Sequence, residues 1–138
     1  MTLYNSKNRN GLMVKRSSAG LGLFANKKII QGTFITEYTG DLITTEEADK
    51  RGGKYLFRID PKWVVDGKNR TNLARYINHC CRPNCEVIIN RKMILIYALK
   101  DIMKGEEINY DYGKEYFLTY IKPHGCLCPY CKANGFLK

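Results

Sequence analysis

Two short polar segments and one cysteine cluster carry the side chains in this chain whose chemistry goes beyond packing. Residues 75–85 contain two asparagines, a histidine and three cysteines, and residues 106–113 contain three acidic side chains and two tyrosines. Three more cysteines lie within residues 126–131. Amide and imidazole groups hydrogen-bond polar ligands, tyrosine rings attract cations, and thiolates chelate metals. These residue types predict a ligand-binding site and a metal site.

The spacing of the six cysteines favours a metal over disulfide bonds. Sequence neighbours such as Cys80 and Cys81 are poor disulfide partners for each other, whereas clustered thiols suit a metal in a reducing, intracellular compartment. The tail pattern Cys126-x-Cys128-x-x-Cys131 permits chelation, because a two-residue gap is a standard separation in zinc sites. The alternative is a reduced tail that is free of metal.

Length and composition indicate one intracellular domain. A chain of 138 residues can build one modest core, and no apolar run approaches the roughly 18 residues that span a bilayer. We therefore expect no membrane partner, and the N-terminal residues lack the apolar stretch of a secretion signal. The net charge of +10 fits either a solvated basic surface or contact with DNA or a nucleosome.

Short apolar runs separated by glycine, asparagine, aspartate and proline predict a mainly β fold made of small sheets. The predicted strands are residues 12–16, 22–25, 34–38, 54–59, 63–66, 85–89, 93–99 and 107–110. One helix is expected after Thr44 or Thr45, either of which can cap it, and the two glycines at 52–53 should end it. The polar run from Asn90 predicts a hairpin loop, in which Asn90 tolerates the left-handed conformation. Cys85 is interpreted as a small core residue.

In their order and separation, these segments resemble the signature segments of SET-domain protein-lysine methyltransferases. The resemblance covers residues 10–136 and also rests on a glycine motif, two strand motifs and a cysteine tail that resembles the post-SET segment, found at residues 19–24, 37–40, 55–57 and 126–131. It implies the SET fold: several small β-sheets, a C-terminal pseudoknot, one short helix and a zinc-binding post-SET tail. The implied division is a SET domain at residues 10–115 and a post-SET segment at residues 116–138, as in a minimal stand-alone SET domain.

The resemblance implies transfer of a methyl group from S-adenosyl-L-methionine to the amine of a lysine. Donor and amine must be collinear, and such alignment contributes on the order of 7–11 kcal/mol in well-oriented reactions. The amine must also be neutral, which a nearby sulfonium cation and an apolar channel both favour. No metal is needed for the transfer itself.

Three tyrosines are the implied catalytic residues: Tyr112, Tyr110 and Tyr55. Tyr112 would direct its hydroxyl at the transferring methyl group, where it orients the reactants more than it acts as a base. Tyr110 lies two residues earlier on a strand, therefore on the same face, at the position that the family uses as a Phe/Tyr switch of product methylation. The implied walls of the substrate channel are Tyr55, Tyr110 and Phe117, and Tyr116 is a rival to Phe117.

The glycine motif and the Asn-His segment are implied to hold the cofactor, because glycine permits close backbone approach to a ligand. The implied cofactor-binding residues are Ala19, Gly20, Leu21, Gly22, Tyr55, Arg75, Asn78, His79, Tyr112 and Leu127. The implied ligands of a structural Zn²⁺ are Cys81, Cys126, Cys128 and Cys131, and Cys80 is a rival to Cys81.

The implied substrate is a basic protein or peptide with a target lysine, above all a histone tail, bound by strand addition. Mono- to di-methylation is expected, because Tyr110 keeps its hydroxyl at the switch position. Nucleus or chromatin is the implied location, with cytoplasm or delivery into a host cell as alternatives. Two other classes fit part of the sequence: a catalytically silent SET-like peptide-binding module, and a small zinc-bearing nucleic-acid-binding domain.

Overall fold

Among the residues that the structure describes, ten short strands make up most of the regular structure. The structure, a computed structural model, describes residues 11–18 and 20–134. Its strands are β1 (Leu12–Ser17), β2 (Gly20–Ala25), β3 (Phe34–Tyr38), β4 (Asp41–Thr44), β5 (Leu56–Arg58), β6 (Trp63–Asp66), β7 (Asn78–His79), β8 (Cys85–Asn90), β9 (Met93–Ala98) and β10 (Asn109–Tyr110). The prediction of a mainly β fold is confirmed, although β4 and β7 were not predicted and β10 is shorter than expected.

The strands form four small sheets. β1 and β2 form an antiparallel hairpin, in which Leu12 is opposite Ala25. Two three-stranded sheets have the orders β3-β9-β8 and β4-β6-β5, and β7 pairs with β10. β5 therefore lies at the edge of its sheet, where a further strand can be added.

The β8–β9 hairpin turns through two residues in the left-handed conformation. Arg91 has φ 53° and Lys92 has φ 66°, which matches a tight turn that follows the twist of the flanking strands. Asn90 instead pairs with Met93 as the last residue of the ladder. The predicted hairpin is confirmed, and the assignment of the left-handed residue to Asn90 is wrong.

Helix α1 (Thr45–Arg51) begins and ends where its sequence signals predict. The Thr44 side chain accepts a hydrogen bond from the backbone N–H of Glu47 at 3.2 Å, so Thr44 is the N-cap. Gly52 ends the helix with a positive φ of 64° and a ψ of −167°, a combination that glycine adopts readily because it has no Cβ.

A parallel pair brings the two polar signature segments together. In the β7–β10 pair, Asn78 is opposite Asn109 and His79 is opposite Tyr110. Asn84 and Asn109 stabilise this pairing with two hydrogen bonds. The backbone N–H of Asn84 donates to the side-chain oxygen of Asn109 at 2.8 Å, and the backbone N–H of Asn109 donates to that of Asn84 at 3.0 Å. The two segments lie side by side, as the resemblance implied for the pseudoknot.

The segment after β10 is helical. A continuous helical run spans residues 114–124 and is called the tail helix here; helix α2 (Pro129–Asn134) follows it. The sequence reading predicted no helix in this tail. Within residues 11–18 and 20–134, no helix is long and apolar enough to cross a membrane.

The main core lies between the sheets, under the parallel pair. Its fully buried members include Leu23, Ile77, Ile94 and Ile108. Cys85 is 1% exposed and belongs to this core, as expected. A second buried cluster contains Cys80 and the three tail cysteines. The fold thus places a cysteine cluster and an apolar core on either side of the Asn-His segment.

Candidate functional site

A pocket lies between the β1–β2 hairpin, the β7–β10 pair and the tail. Its cavity volume is about 230 Å³. Its lining includes the predicted Asn78, His79, Tyr112 and Leu127, together with Tyr116, the alternative to Phe117. Residues that were not predicted, among them Ser17, Glu107 and Tyr120, line it as well. The pocket is therefore built from three separate stretches of the chain.

Asn78 ties the glycine hairpin to the β10 side of the pocket. Its side-chain amide donates to the Glu107 carboxylate at 2.8 Å and to the Leu21 carbonyl at 3.0 Å. A Cβ at Gly22 would collide with the Glu107 carboxylate, so glycine at this position lets Glu107 keep its hydrogen bond with Asn78 without moving. Leu21 is 54% exposed, so it contributes to the contact with Asn78 through its backbone carbonyl and not through its side chain.

His79 lies between Tyr112 and the cysteine cluster. Its Nδ1 accepts the backbone N–H of Tyr112 at 3.0 Å, and its Nε2 lies 3.4 Å from the Sγ of Cys81. Burial lowers the pKa of His79, and the Asp111 carboxylate opposes that shift only in part. The imidazole is therefore neutral at physiological pH.

The hydroxyl of Tyr112 is fixed by the backbone. It donates a hydrogen bond to the carbonyl of Ile77, so its lone pairs remain to accept contacts from other groups. Burial, followed by the neighbouring Tyr116, raises the pKa of Tyr112. Burial likewise raises the pKa of Tyr110 well above its ordinary value. Both hydroxyls therefore stay protonated, and neither can act as a base near neutral pH.

Aromatic rings form a continuous wall around Tyr112. Tyr110 lies 5.2 Å from Tyr112 and 6.4 Å from Phe57, between ring centroids. Tyr116 meets Tyr112 edge-on at 5.1 Å. Phe117, in contrast, lies 5.5 Å from His79 and packs against the cysteine cluster. The geometry thus favours Tyr116, the alternative that the sequence offered to Phe117, as the wall residue that the tail contributes.

Arg75 lies against Tyr55, away from the pocket lining. Its guanidinium is 4.2 Å from the centroid of the Tyr55 ring, and its Nε is buried without a hydrogen-bond partner among the described residues. Although burial alone would raise it, hydrogen bonding and charge from Arg75 lower the pKa of Tyr55. Arg75 is therefore placed to orient Tyr55, a residue of the predicted channel, and its direct contact with a cofactor stays a prediction.

Four cysteines meet, and they are the four that the family resemblance implied. The Sγ atoms of Cys81, Cys126, Cys128 and Cys131 all lie within 4.8 Å of one another. Cys81 is 3.9 Å from Cys126 and 3.6 Å from Cys131 between sulfurs. The thiol of Cys80 instead donates to the Arg82 carbonyl at 3.4 Å. The cluster can hold a metal ion, and its fourth member in this structure is Cys81.

The thiols of this cluster differ in acidity. Although burial opposes the shift, hydrogen bonds from the backbone of Cys81 and Cys131 lower the pKa of Cys128 to about 7. Burial raises the pKa of Cys131 to about 11. The backbone hydrogen bonds to Cys128 thus favour a thiolate within this group of thiols, and the thiolate is the form that binds a cation.

Two further predicted residues, Leu127 and Gly20, lie in or beside the pocket lining. Leu127 lines it, and its carbonyl accepts a hydrogen bond from the Ser18 hydroxyl at 3.5 Å. Gly20 pairs with Ser17 at the end of the β1–β2 hairpin, with φ 103°. Ala19 lies outside the described residues. Glu107 escaped the sequence reading, although its place in the second signature segment was a signal.

A family model described as "SET domain" matches residues 20–113, more than half of the chain. The chain is 45% identical to the histone-lysine N-methyltransferase trithorax of Drosophila melanogaster, over 67% of this chain and 3% of that protein. It is 41% identical to the H3 lysine-4 specific histone-lysine N-methyltransferase of Schizosaccharomyces pombe, over 85% of this chain and 14% of that protein. For the protein of the same name in Saccharomyces cerevisiae, identity is 38%, over 96% of this chain and 14% of that protein. The chain thus spans a small part of these relatives.

Proposed function

The chain belongs to the SET-domain family, and we propose that it is an S-adenosyl-L-methionine-dependent protein-lysine N-methyltransferase whose substrate is a histone tail. The observation that carries the proposal is the fixed hydroxyl of Tyr112, at the junction between the pocket and the aromatic wall. The relatives' names support a histone substrate, and two of them specify lysine 4 of H3.

The cofactor would supply an activated methyl group on a sulfonium. Asn78 and Glu107 would meet its polar groups, since both line the pocket and hold each other at 2.8 Å. Gly22 leaves room for this pair, and Leu127 closes the pocket from the tail. Ala19, Gly20 and Leu21 stay predicted backbone contacts.

Tyr112 would position the reacting groups and would not take a proton. Because its hydrogen is committed to Ile77, its lone pairs can face a cationic or polarised methyl group. The rings of Tyr110 and Tyr116 would shield the lysine amine from water, which favours its neutral form. Tyr55 would form the outer wall of the channel, held in place by Arg75.

The cysteine cluster fits a structural Zn²⁺. Four sulfurs bound tetrahedrally at a Zn–S distance of 2.3 Å lie about 3.8 Å apart. The observed separations of 3.9 and 3.6 Å from Cys81 bracket that value. A set of four protein ligands leaves no open position, so the metal would hold the tail over the pocket and take no part in transfer.

The substrate would add as a strand along β5, the sheet edge next to the aromatic wall. The ring centroid of Phe57 on β5 lies 5.2 Å from that of Tyr38 and 6.4 Å from that of Tyr110, so ring packing connects this edge to the channel. We expect mono- to di-methylation and action on chromatin, with residues 10–115 as the catalytic part and residues 116–138 as the zinc-bearing tail. Contact with DNA through the basic surface is a further prediction.

Incubation with labelled S-adenosyl-L-methionine and an H3 tail peptide tests the proposal. We expect label in the peptide, and loss of label when the target lysine is replaced by arginine. Cofactor binding without transfer to a set of histone peptides would instead indicate a silent SET-like module. Absence of both binding and transfer would refute the proposal and leave nucleic-acid binding as the class to test.

A further inference from the structure

Both ring nitrogens of His79 contact groups that belong to different parts of the site. Nδ1 lies 3.0 Å from the backbone nitrogen of Tyr112, and Nε2 lies 3.4 Å from the sulfur of Cys81. The side chain is only 6% exposed. A buried ring that uses both of its nitrogens leaves little freedom to either neighbour.

The Tyr112 amide decides which nitrogen carries the proton. A backbone N–H can only donate, so Nδ1 must present its lone pair to Tyr112. In the neutral ring the proton is then on Nε2, which can donate it to Cys81. The Asp111 carboxylate lies 3.7 Å from Nδ1 and is 55% exposed, so it does not compete with the amide for this geometry.

Ring packing connects the same two regions. The His79 ring meets Tyr112 edge-on at 5.4 Å and lies 5.5 Å from Phe117. Phe117 in turn packs against the cysteine cluster. Displacement of the cluster would therefore move the ring, and displacement of the ring would move the Tyr112 backbone.

We propose that His79 is a positioning residue that couples the metal cluster to Tyr112. Its Nε2–H stabilises the charge of the Cys81 thiolate when zinc is bound, as second-shell hydrogen bonds do for metal ligands. Its Nδ1 fixes the backbone of Tyr112, whose hydroxyl is fixed separately by Ile77. Loss of zinc would then loosen the Tyr112 backbone. This inference rests on the proposed zinc site but not on methyl transfer.

Two variants separate the two contacts. In His79→Asn the side-chain oxygen lies near the position of Nδ1 and can still accept a hydrogen bond from the backbone N–H of Tyr112. The shorter side chain does not reach Cys81. In His79→Gln the side-chain NH₂ group reaches the position of Nε2 and can donate to Cys81, but the side chain offers no acceptor to the backbone N–H of Tyr112. Zinc affinity, measured by competition with a chromogenic chelator, and hydrogen exchange of the Tyr112 amide report on one contact each, without any need for activity.

We expect His79→Asn to weaken zinc binding by about 10–100-fold and to keep the Tyr112 amide protected. His79→Gln should bind zinc within a few-fold of the unchanged protein and exchange the Tyr112 amide faster. In the unchanged protein, removal of zinc should speed exchange at Tyr112, and this needs no variant to fold. Zinc affinity that is unaltered in His79→Asn, or Tyr112 exchange that is insensitive to zinc removal, would overturn the coupling. If methyl transfer alone fails, these readouts stay interpretable.

Discussion

Replacement of Tyr112 by phenylalanine should cause a loss of turnover and a separate loss of stability. The substitution removes the hydroxyl that donates to Ile77 and keeps the ring contacts with Tyr110 and Tyr116. Ile77 is 1% exposed, so its carbonyl would lose a partner in a nearly dry environment. An unsatisfied buried acceptor costs about 1–3 kcal/mol. For a domain of this size that is a decrease of Tm by several degrees.

The loss of turnover has a different origin. Without the hydroxyl, no fixed lone pair faces the transferring group, and loss of one preorganised polar contact typically costs about 10²–10³ in kcat. That factor corresponds to about 2.7–4 kcal/mol in the barrier. Cofactor affinity should change much less, because Asn78 and Glu107 are untouched.

The assay measures kcat on a peptide with a single lysine, well below the Tm of the variant. Thermal unfolding and cofactor titration are run on the same preparation, so that turnover per folded molecule can be calculated. Tyr97→Phe is the matched control, since that ring packs on Phe34, in the β3–β9–β8 sheet. A Tyr112→Phe variant with kcat within threefold of the unchanged protein would refute the role of the hydroxyl.

Three further outcomes are expected. The purified protein should carry about one zinc ion per chain, which Cys81→Ala should lose and Cys80→Ala should keep; elemental analysis decides, and the reverse pattern would shift the ligand by one residue. Tyr110→Phe should move products towards di- and trimethyl-lysine, and early trimethylation by the unchanged protein in a mass-spectrometric time course would contradict the switch assignment. Because burial raises the pKa of Tyr112 above its ordinary value of about 10, its neutral form persists at alkaline pH. The rate should therefore rise with pH as the lysine amine loses its proton, and a decline centred below pH 10 in a stability-controlled profile would count against a neutral Tyr112.

The sequence predicted those elements whose signals are local. Thr44 and the following glycines define α1, and alternating apolar runs define the hairpins, because caps and strand periods act over a few residues. The turn at Arg91 and Lys92 was misplaced by one residue. There the strand register, set by packing over the whole hairpin, overrides the preference of Asn90 for the left-handed conformation.

Side-chain partners across long sequence distances were harder to predict. Nothing local indicates that Asn78 would donate to Glu107, or that Arg75 would stack on Tyr55 instead of facing the pocket. The tail helix was missed because the apolar and aromatic residues of 116–121 lack flanking caps, and its packing depends on the cysteine cluster. The tail cysteines were predictable as a metal-binding group because their spacing limits the possible chemistry, whereas Cys81 as the fourth ligand was implied by the family resemblance.

Segment 77–81 explains why the site requires a particular register. The Ile77 carbonyl accepts a hydrogen bond from the Tyr112 hydroxyl, and His79 accepts one from the backbone N–H of Tyr112. The side-chain amide of Asn78 donates to the Glu107 carboxylate. Cys81 reaches the sulfurs of the tail. Because these contacts come from neighbouring residues of one short segment, insertion of one residue would shift them all out of register together. A point substitution removes one contact, whereas an insertion here would abolish the metal cluster and the fixed tyrosine at once.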